Sequence, residues 1–309
     1  MAIKSLEYIV ALAEEKSVSK AAARLYMAQS SLSQFLKNQE EELGTVLFNR
    51  TPGGIRLTDA GRAYVDYAYR TLNDYRQVQN QINDIEELKS GQVLFGISTF
   101  RGSYLIPRVL QEFSRVCPEV DIIISEHNSF ALEELIISGK LDMALVVLPL
   151  KKATTPINFM MQDEVMIMAS KDHLALQYAK KIDENSDKKY VDLEDIKDYK
   201  FLLSNHDTVL GNVAEQQFQK HKIQPIASNT NLSAQFAAAM ARQGLGLAFT
   251  YRSCMEHVED VEYLSIGKEG VFIDLGLTYP GEYRSSATTE FTKLLIKNWY
   301  RMENEMKID

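Results

Sequence analysis

The stretch "AAARLYMAQSSLSQFLKNQEEELG", residues 21–44, contains two helical patterns separated by a short turn. The first pattern is rich in alanine, whose small side chain lets two helix backbones approach closely. After a turn at about Tyr26–Ala28, a longer helix is predicted from about residue 29 to residue 43. Gly44 is suited to end that helix because glycine readily adopts the left-handed conformation of a C-cap. Two short helices in such close succession predict a helix-turn-helix.

The longer helix carries leucines on one side and hydrogen-bonding side chains on the other. Leu32, Leu36 and Leu43 predict its buried stripe. Glutamine can bond base edges in the major groove, serine can bond bases or phosphates, and lysine neutralises a phosphate. A solvated helix face is the alternative interpretation of the polar side. The candidate DNA-binding residues on this helix are Gln29, Ser30, Ser31, Ser33, Gln34 and Lys37.

The segments on either side extend the helix-turn-helix. An amphipathic first helix precedes it, and Ser17 and Ser19 are cap-type residues before the alanine-rich helix. After it comes "VLFNRTPGGIRLT", residues 46–58, in which two β-type runs flank a Pro-Gly-Gly turn. Arg50 and Arg56 stand on either side of that turn, where they can reach phosphates or a minor groove. A hairpin directly after a helix-turn-helix predicts a winged helix.

A long helix follows the hairpin. Thr58 is placed to cap it, and Asp59 lies near its positive end. Apolar or small residues recur every three or four positions, which predicts a dimerisation seam. Packing on the chain's own domain is the alternative. The stripe comprises Tyr64, Ala68, Leu72, Tyr75, Val78, Ile82, Ile85 and Leu88, and the helix is predicted to end at a hinge, Lys89–Ser90–Gly91.

The first ninety residues resemble those of the LysR-type transcriptional regulators. The resemblance depends on "AAARL", "QSSLSQFLKNQEEELGTVLFNR" and "GIRLTDAG", which occur in that order and spacing. Ala28 stands where the family usually has a serine, and Ser30 stands where proline is common, so the recognition helix is expected to be less firmly capped. Gln39 occupies a position usually held by leucine.

The remaining chain alternates between strand and helix patterns. Short apolar runs such as "VLFGIST" (93–99), "VDIIIS" (120–125) and "LDMALVVL" (141–148) predict buried strands. The alternation predicts a parallel sheet covered by helices. In open α/β sheets, ligands bind beyond the carboxyl ends of the strands, near helix N-termini that favour anions.

Polar clusters follow three of the predicted strands and are the candidate effector-binding residues. Serine, threonine and asparagine are also favoured at such positions as local helix caps, which is the alternative for each of them. Arg101 can hold a carboxylate or phosphate in bidentate fashion, or it can point to solvent. The candidates are Ser98, Thr99, Phe100, Arg101, Asn128, Ser129, Ser204, His206 and Thr208.

The family resemblance implies a multidomain architecture. An N-terminal all-α winged helix-turn-helix would occupy residues 1–58, and a linker helix residues 59–90. An α/β effector domain, residues 91–309, would resemble type 2 periplasmic binding proteins. Its first subdomain would comprise residues 92–162 and 268–309, and its second residues 163–267. The expected protein is a sequence-specific DNA-binding regulator whose small-molecule effector, anionic if Arg101 binds it, lies between the two subdomains.

Composition and motifs bear on the other function classes. No signal peptide or long apolar run occurs, and the two cysteines, Cys117 and Cys254, lack metal-type spacing, which favours a cytoplasmic protein. No metal, phosphate-loop, dinucleotide or nucleophile motif is present, so we expect neither an enzyme nor a cofactor. A solute receptor and an α/β enzyme are the rival classes. Double-stranded DNA, a second copy of the chain in a dimer or tetramer, and RNA polymerase are the expected macromolecular partners, without a membrane.

Overall fold

The N-terminal module is a three-helix unit followed by a hairpin and a long helix. The computed structural model describes residues 3–85, 90–152, 155–184, 187–256 and 258–308. The predicted helix-turn-helix and wing are confirmed, and the second helix of the pair has the predicted bounds. The elements are α1 (Ile3–Glu15), α2 (Val18–Arg24), α3 (Gln29–Leu43), β1 (Phe48–Thr51), β2 (Gly54–Leu57) and α4 (Asp59–Ile85).

The predicted buried stripe of α3 is correct at two of its three positions. Leu32 and Leu36 are buried, whereas Leu43 is 37% exposed and the prediction for it was wrong. Gln39 is the third buried residue of the helix, and its amide donates to Glu42. Gly44 caps the helix with a φ of 66°, so the exposed Leu43 is the last residue of α3.

Two hydrogen-bonded contacts hold the wing against the helices. The Glu40 carboxylate on α3 accepts from the backbone N–H groups of Leu47 and Phe48, at 2.7 and 3.0 Å. The Ile55 N–H donates to the Lys16 carbonyl at 2.9 Å. A Cβ at Gly54 would lie 2.2 Å from that same carbonyl, so only glycine permits this approach. The wing is therefore fixed relative to α3.

The two halves of α4 differ in what they contact. Thr58 caps the helix, because its Oγ1 accepts from the Gly61 N–H at 2.9 Å. Ala68 is fully buried in a cluster with Leu6 and Val10 of α1, so the first half packs on its own domain. Further along, Tyr75, Val78 and Ile82 are 45–50% exposed. The apolar stripe thus changes from an internal contact to an exposed surface, and its predicted last residue, Leu88, lies outside the described residues together with Lys89.

The described strands of the rest of the chain form one mixed eleven-stranded sheet. The three strands predicted from residues 93–99, 120–125 and 141–148 are parallel as expected, but the prediction of a wholly parallel sheet was wrong. Strands Ile157–Ser170 (β6) and Val271–Thr278 (β13) run antiparallel to each other, and β13 also runs antiparallel to Met143–Leu148 (β5). The strands are β3 (Ser90–Ile97), β4 (Glu119–Glu126), β5 (Met143–Leu148), β6 (Ile157–Ser170), β7 (Lys180–Lys181), β8 (Lys189–Val191), β9 (Lys200–Ser204), β10 (Ile226–Leu232), β11 (Leu247–Tyr251), β12 (Val261–Ile266) and β13 (Val271–Thr278). The helices are α5 (Thr99–Val116), α6 (Ser129–Ile137), α7 (Val209–Lys220), α8 (Ala234–Arg242) and α9 (Ser286–Ile308).

Two separate large cores lie on this sheet. One is built around β3, β5, α5 and α9 and includes Phe95, Phe113 and Trp299. The other surrounds β9, β11, α7 and α8 and includes Phe201 and Phe249. Strand β6 passes from the first core to the second, because its early residues pair with β13 and its late residues with β11 and β12. Within the described residues, no helix has both the length and the apolar character needed to cross a membrane.

Each of the two cores defines one subdomain. The middle and second half of α4 lie against the first subdomain, which contains the core around β3, β5, α5 and α9. The guanidinium of Arg76 contacts the Asp142 carboxylate at 3.0 Å, and the Lys140 ammonium lies 3.9 Å from the centre of the Tyr69 ring. Gly139 allows the close approach, since a Cβ there would lie 3.2 Å from the Asn73 side chain. We call the pairs Arg76–Asp142 and Tyr69–Lys140 the linker contact.

Candidate nucleic-acid interface and effector cleft

The polar side of α3 faces solvent along its length. Gln29, Ser30 and Ser31 are exposed, and within the described part of the chain no side-chain hydrogen bond engages them. Gln34 and Lys37 are also exposed; the Gln34 amide donates to Asn38 at 2.7 Å, and Lys37 lies 3.6 Å from Glu41. Such contacts between solvated side chains break readily, so these groups are available to a partner.

Two further features of α3 bear on this surface. Ser33 is half-buried and stands at the edge of the exposed side. Ala28, at the N-cap, makes no side-chain hydrogen bond to the helix. The expectation of a weaker cap is thus confirmed, and no side chain at the N-cap accepts from the first N–H groups of α3, which can donate to another partner.

The two arginines of the wing lie on opposite faces of the hairpin. Arg56 pairs with Asn49 across the strands, and Arg50 pairs with the buried Ile55. Because directly opposed residues share a face and successive residues alternate, the two arginines leave the ribbon on different sides. Both are exposed. Arg50 therefore shares the face that packs on the core through Ile55, and Arg56 lies on the outer face.

The charge of this module differs from that of the whole chain. Residues 1–58 contain seven Lys or Arg and six Asp or Glu, a net charge of +1, whereas the whole chain carries −8. The acidic excess therefore lies in the rest of the molecule. Since electrostatic repulsion from DNA is screened within about 10 Å at moderate salt, that excess does not prevent the N-terminal surface from approaching a duplex.

A cleft of about 290 Å³ lies where the two subdomains meet, and four helices begin at its wall. These helices, α5, α6, α7 and α8, follow the carboxyl ends of β3, β4, β9 and β10. Their N-termini give the cleft a positive potential without a free cationic side chain. We call it the effector cleft. Its lining comprises Ser98, Thr99, Phe100, Arg101, His127, Asn128, Ser129, Leu145, Val147, Thr208, Val209, Leu210, Ser233, Ala234, Gln235 and Tyr251.

The structure brings seven of the nine candidate effector residues together in this cleft. Ser204 and His206 are not part of the lining: Ser204 is buried at the end of β9, and His206 is exposed. The sequence interpretation missed the fourth polar segment, Ser233–Gln235, and also Tyr251. A serine directly before an alanine-rich helix was the signal that would have found the former. The aromatic residue left no comparable signal.

Most of the polar residues in the lining are engaged by the protein itself. Asn128 accepts from the Ala131 N–H at 2.9 Å, Thr208 from the Gly211 N–H at 3.1 Å, and Ser233 from the Phe236 N–H at 3.2 Å. These are helix caps, the alternative that the sequence left open.

Two hydroxyl groups at the N-termini of α5 and α6 differ in their hydrogen bonding. The Ser129 hydroxyl accepts from the Val147 N–H at 2.9 Å and joins α6 to β5. The Oγ of Ser98 is buried, and among the described residues it has no hydrogen-bond partner. A buried polar atom without a partner is costly, so the Ser98 hydroxyl is the strongest candidate for contact with a ligand.

Arg101 lies in the wall of the cleft but is held in an ion pair. Its side chain is 4% exposed, and Nη2 lies 3.1 Å from the Asp163 carboxylate. The guanidinium carbon lies 4.0 Å from the centre of the Tyr251 ring. Asp163 also accepts from the Ser253 N–H and hydroxyl, at 3.0 and 2.7 Å. This cluster joins α5 of the first subdomain to the second, and Asp163 neutralises the charge that an anionic ligand would meet.

Cys254 lies beside this cluster as a buried thiol. Burial raises its pKa to about 12, because the thiolate would lose its hydration there. The group therefore stays protonated and unreactive at neutral pH. Among the described residues, His, Cys, Asp and Glu form no group of three or more that is suited to hold a metal ion.

Sequence comparisons match both parts of the chain. A family model described as "LysR substrate binding domain" matches residues 86–299, and one described as "Bacterial regulatory helix-turn-helix protein, lysR family" matches residues 3–62. The "Probable RuBisCO transcriptional regulator" of Thalassiosira pseudonana is 29% identical over 308 residues, which cover 96% of this chain and 98% of that protein.

Solved structures support the fold. A full-length OxyR variant from Pseudomonas aeruginosa is similar with a TM-score of 0.66 and 21% identity, covering 96% of this chain and 97% of that one. Full-length CbnR "complexed with the target DNA complex" gives a TM-score of 0.66 at 17% identity, covering 96% and 100%. The substrate-binding model alone spans more than half of the sequence. The chain therefore belongs to the LysR family of DNA-binding transcriptional regulators, with an N-terminal helix-turn-helix domain followed by a two-subdomain α/β effector-binding domain.

Proposed function

We propose that the protein reads a specific duplex sequence with α3 and the wing, and that a small anion in the effector cleft changes how the reading heads sit on DNA. The observation that carries this proposal is the contrast between the two sites. The polar residues of α3 are exposed and available. The cleft combines four helix N-termini with the buried Ser98 hydroxyl, for which the described residues provide no hydrogen-bond partner.

Roles on the DNA side divide by chemistry. Gln29, Ser31 and Gln34 present amides and a hydroxyl suited to base edges in a major groove. Lys37, Arg50 and Arg56 carry the charges that neutralise phosphates, and Ser30 and Ser33 supply hydroxyls at the edges of the same surface. Residues 1–58 would act as the reading head, and residues 59–90 as the connection to an effector domain that occupies 91–309.

The effector is a small carboxylate with an apolar body. Backbone N–H groups at the starts of α5–α8, with the Ser98 hydroxyl and the exposed Gln235 amide, would bind its anionic end. Leu145, Val147 and Leu210 would contact its apolar part. Thr99 and Phe100 would complete the wall. Arg101, which is paired with Asp163, would position the wall instead of binding the anion directly.

Strand β5 offers a route from the cleft to the DNA-binding module. Leu145 and Val147 line the cleft, and Asp142, directly before the same strand, contacts Arg76 on α4. The other oxygen of Asp142 accepts from the Leu94 N–H at 2.8 Å, so Asp142 is fixed to β3 as well. A ligand that shifts β5 would alter the linker contact and with it the angle of α4.

The exposed half of α4 supplies the oligomer contact. Tyr75, Val78 and Ile82 form an apolar surface that a second copy of the chain would cover, in a dimer or in a tetramer built from such dimers. Two-fold symmetry then predicts half-sites whose centres lie about 34–36 Å apart, or a multiple of that distance. Control of transcription from such a site makes RNA polymerase the second macromolecular partner, in the cytoplasm.

One experiment tests both sites on the full-length protein. The protein is incubated with a pool of random duplexes, and the bound fraction is sequenced with and without a library of small carboxylates. We expect a dyad-symmetric motif, and at least one carboxylate that changes its spacing or occupancy. A ligand that binds should also raise the unfolding temperature by mass action. Absence of any preferred sequence under every condition would contradict the proposal.

A further inference from the structure

Tyr26 occupies the turn between α2 and α3 in an unusual state. Its side chain is 99% exposed, and its backbone φ is 52°, in the left-handed region. The turn is pinned on both sides, because the Tyr26 N–H donates to the Ala23 carbonyl at 3.1 Å and the Met27 N–H donates to the Ala22 carbonyl at 3.0 Å. The fold therefore requires a left-handed residue at this position.

The fold does not account for tyrosine at that position. Left-handed backbone favours glycine, or asparagine, because a Cβ crowds the following carbonyl. Two tyrosines near the turn pack instead: Tyr8 meets Phe35 edge to face at 5.1 Å, and Tyr64 is packed against the core. The exposed tyrosines of α4, Tyr67 and Tyr75, keep 42% and 45% of their surface in solvent, less than half the exposure of Tyr26. Within the described residues, no ring contact, hydrogen bond or ion pair engages the Tyr26 side chain. A residue that strains the turn and packs on nothing is expected to serve a partner.

The position of the turn identifies that partner. In a helix-turn-helix complex the first helix crosses the DNA backbone, and the N-terminal residues of the recognition helix meet base edges. The turn between them therefore lies at the rim of the groove. Tyr26 is three residues before Gln29, where α3 begins. A phenol in this position meets phosphate and deoxyribose before it meets a base.

We infer that Tyr26 contacts the DNA backbone at the edge of the major groove, with its hydroxyl donating to a phosphate oxygen and its ring lying against a sugar. This inference rests on the proposed function, since it requires α3 to lie in the groove. Tyrosine hydroxyls are among the groups that bind phosphate and set the register of a protein on a duplex. Tyr26 would thus position the recognition helix rather than choose bases.

Two substitutions separate this role from a structural one. Tyr26→Gly relieves the strained backbone and removes the side chain, so the full-length variant should unfold at a higher temperature yet bind its selected duplex at least about tenfold more weakly. Tyr26→Phe keeps the ring and the backbone, so its unfolding temperature should not change while affinity falls several-fold. Tyr300→Phe, on the half-exposed side of α9, is the matched control and should leave both quantities unchanged.

Phosphate-ethylation interference on the same duplex locates the contact. Ethylation of one phosphate in each half-site should block binding of the wild-type protein. Ethylation of the same phosphate should not further weaken binding of Tyr26→Phe. If wild-type protein binds a selected sequence and Tyr26→Gly binds it equally tightly, this inference alone is overturned. If Tyr26→Gly keeps its DNA affinity but loses transcription with purified RNA polymerase, the tyrosine faces a protein and the DNA contact is wrong. If the wild type selects no sequence, both proposals fail.

Discussion

The recognition helix and the effector cleft are lined by the same kinds of residue in opposite states. On α3, serine and glutamine side chains stand in solvent, with few contacts to the protein. In the cleft, three polar side chains cap the helices that follow them, those of Asn128, Thr208 and Ser233. The Ser129 hydroxyl accepts a hydrogen bond from β5. A polar residue therefore indicates a binding function only when its own backbone does not already engage it.

The difference follows from how each site holds its ligand. A helix that enters a groove must present side chains beyond its own surface, because base edges are reached by side-chain atoms. A cleft built from helix N-termini presents backbone N–H groups, and the side chains that cap those helices orient the N–H groups without touching the ligand. Substitutions of the capping residues in the cleft should therefore change stability more than ligand binding, and substitutions on α3 should change DNA binding more than stability.

The largest expected effect belongs to the buried pair in the cleft wall. Arg101→Met leaves the Asp163 carboxylate buried without its cation, which should lower the free energy of unfolding by about 3–5 kcal/mol in urea titration. Arg76→Met makes the same change in the partly buried linker contact, where the Arg76 side chain is 23% exposed, and should cost less, about 1–3 kcal/mol. If Arg101→Met unfolds like the wild type but loses carboxylate binding, Arg101 binds the ligand and is not a structural residue.

The reading face should respond in the opposite way. Gln34→Ala removes only solvent contacts, so the free energy of unfolding should change by less than about 0.5 kcal/mol. Discrimination among bases at one position of each half-site should fall by about 1–3 kcal/mol, measured by sequencing the duplexes that the variant selects. Asn38→Ala breaks the same Gln34–Asn38 hydrogen bond from the other side and is the control. A uniform loss of affinity with unchanged base preference would show that Gln34 does not read bases.

The same contrast explains what could be predicted from sequence. The bounds of α3 and the wing followed from local signals, because Gly44 and the Pro-Gly-Gly turn determine the backbone where they stand. Exposure of the α3 face followed from helical periodicity. The prediction for Leu43 failed, because Leu43 is the last residue of the helix and helical periodicity does not report where the core ends.

The helix N-termini that border the cleft were predictable from sequence, but the ion pair in its wall was not. Three of the four helix starts were found, since each follows an apolar strand with a capping residue. The partner of Arg101 was not, because Asp163 is sixty-two positions away and a contact across subdomains leaves no periodic trace. The antiparallel direction of β6 and β13 was missed for a related reason. The strand pattern reports burial and does not report direction.

Coupling between the two sites should depend on the linker contact. The Arg76→Met variant should bind the effector with wild-type affinity, and without effector it should also bind DNA with wild-type affinity. The change in DNA affinity that effector binding causes should be smaller than in the wild type. Wild-type coupling of allosteric proteins is typically about 1–3 kcal/mol, and most of it should disappear. Fluorescence anisotropy with labelled duplex, at zero and saturating effector, measures it. Lys152→Met, which removes an exposed ion pair to Glu134 in the same subdomain, should leave coupling intact.

Two hydroxyls in the cleft should separate capping from ligand binding. Thr208→Ala loses the bond to the Gly211 N–H and should destabilise the protein by about 1 kcal/mol. Ser98→Ala removes a buried hydroxyl that no described residue engages, so stability should hold or rise slightly while carboxylate affinity falls about tenfold. Thermal unfolding and calorimetric titration with the carboxylate found by the library screen give both quantities. Equal affinity in Ser98→Ala and wild type would leave the backbone N–H groups as the main ligands.

The smallest effect concerns a single charge on the wing. Arg56 leaves the hairpin on the face opposite Arg50, and a guanidinium that neutralises one phosphate releases one condensed counterion. Arg56→Ala should therefore reduce the slope of log affinity against log salt by about 0.9 while base preference stays unchanged. Lys220→Ala changes the net charge by the same amount at the end of α7, in the second subdomain, and should leave the slope as it is. If both variants lower the slope equally, the protein senses DNA through its overall charge, and the wing makes no phosphate contact at this position.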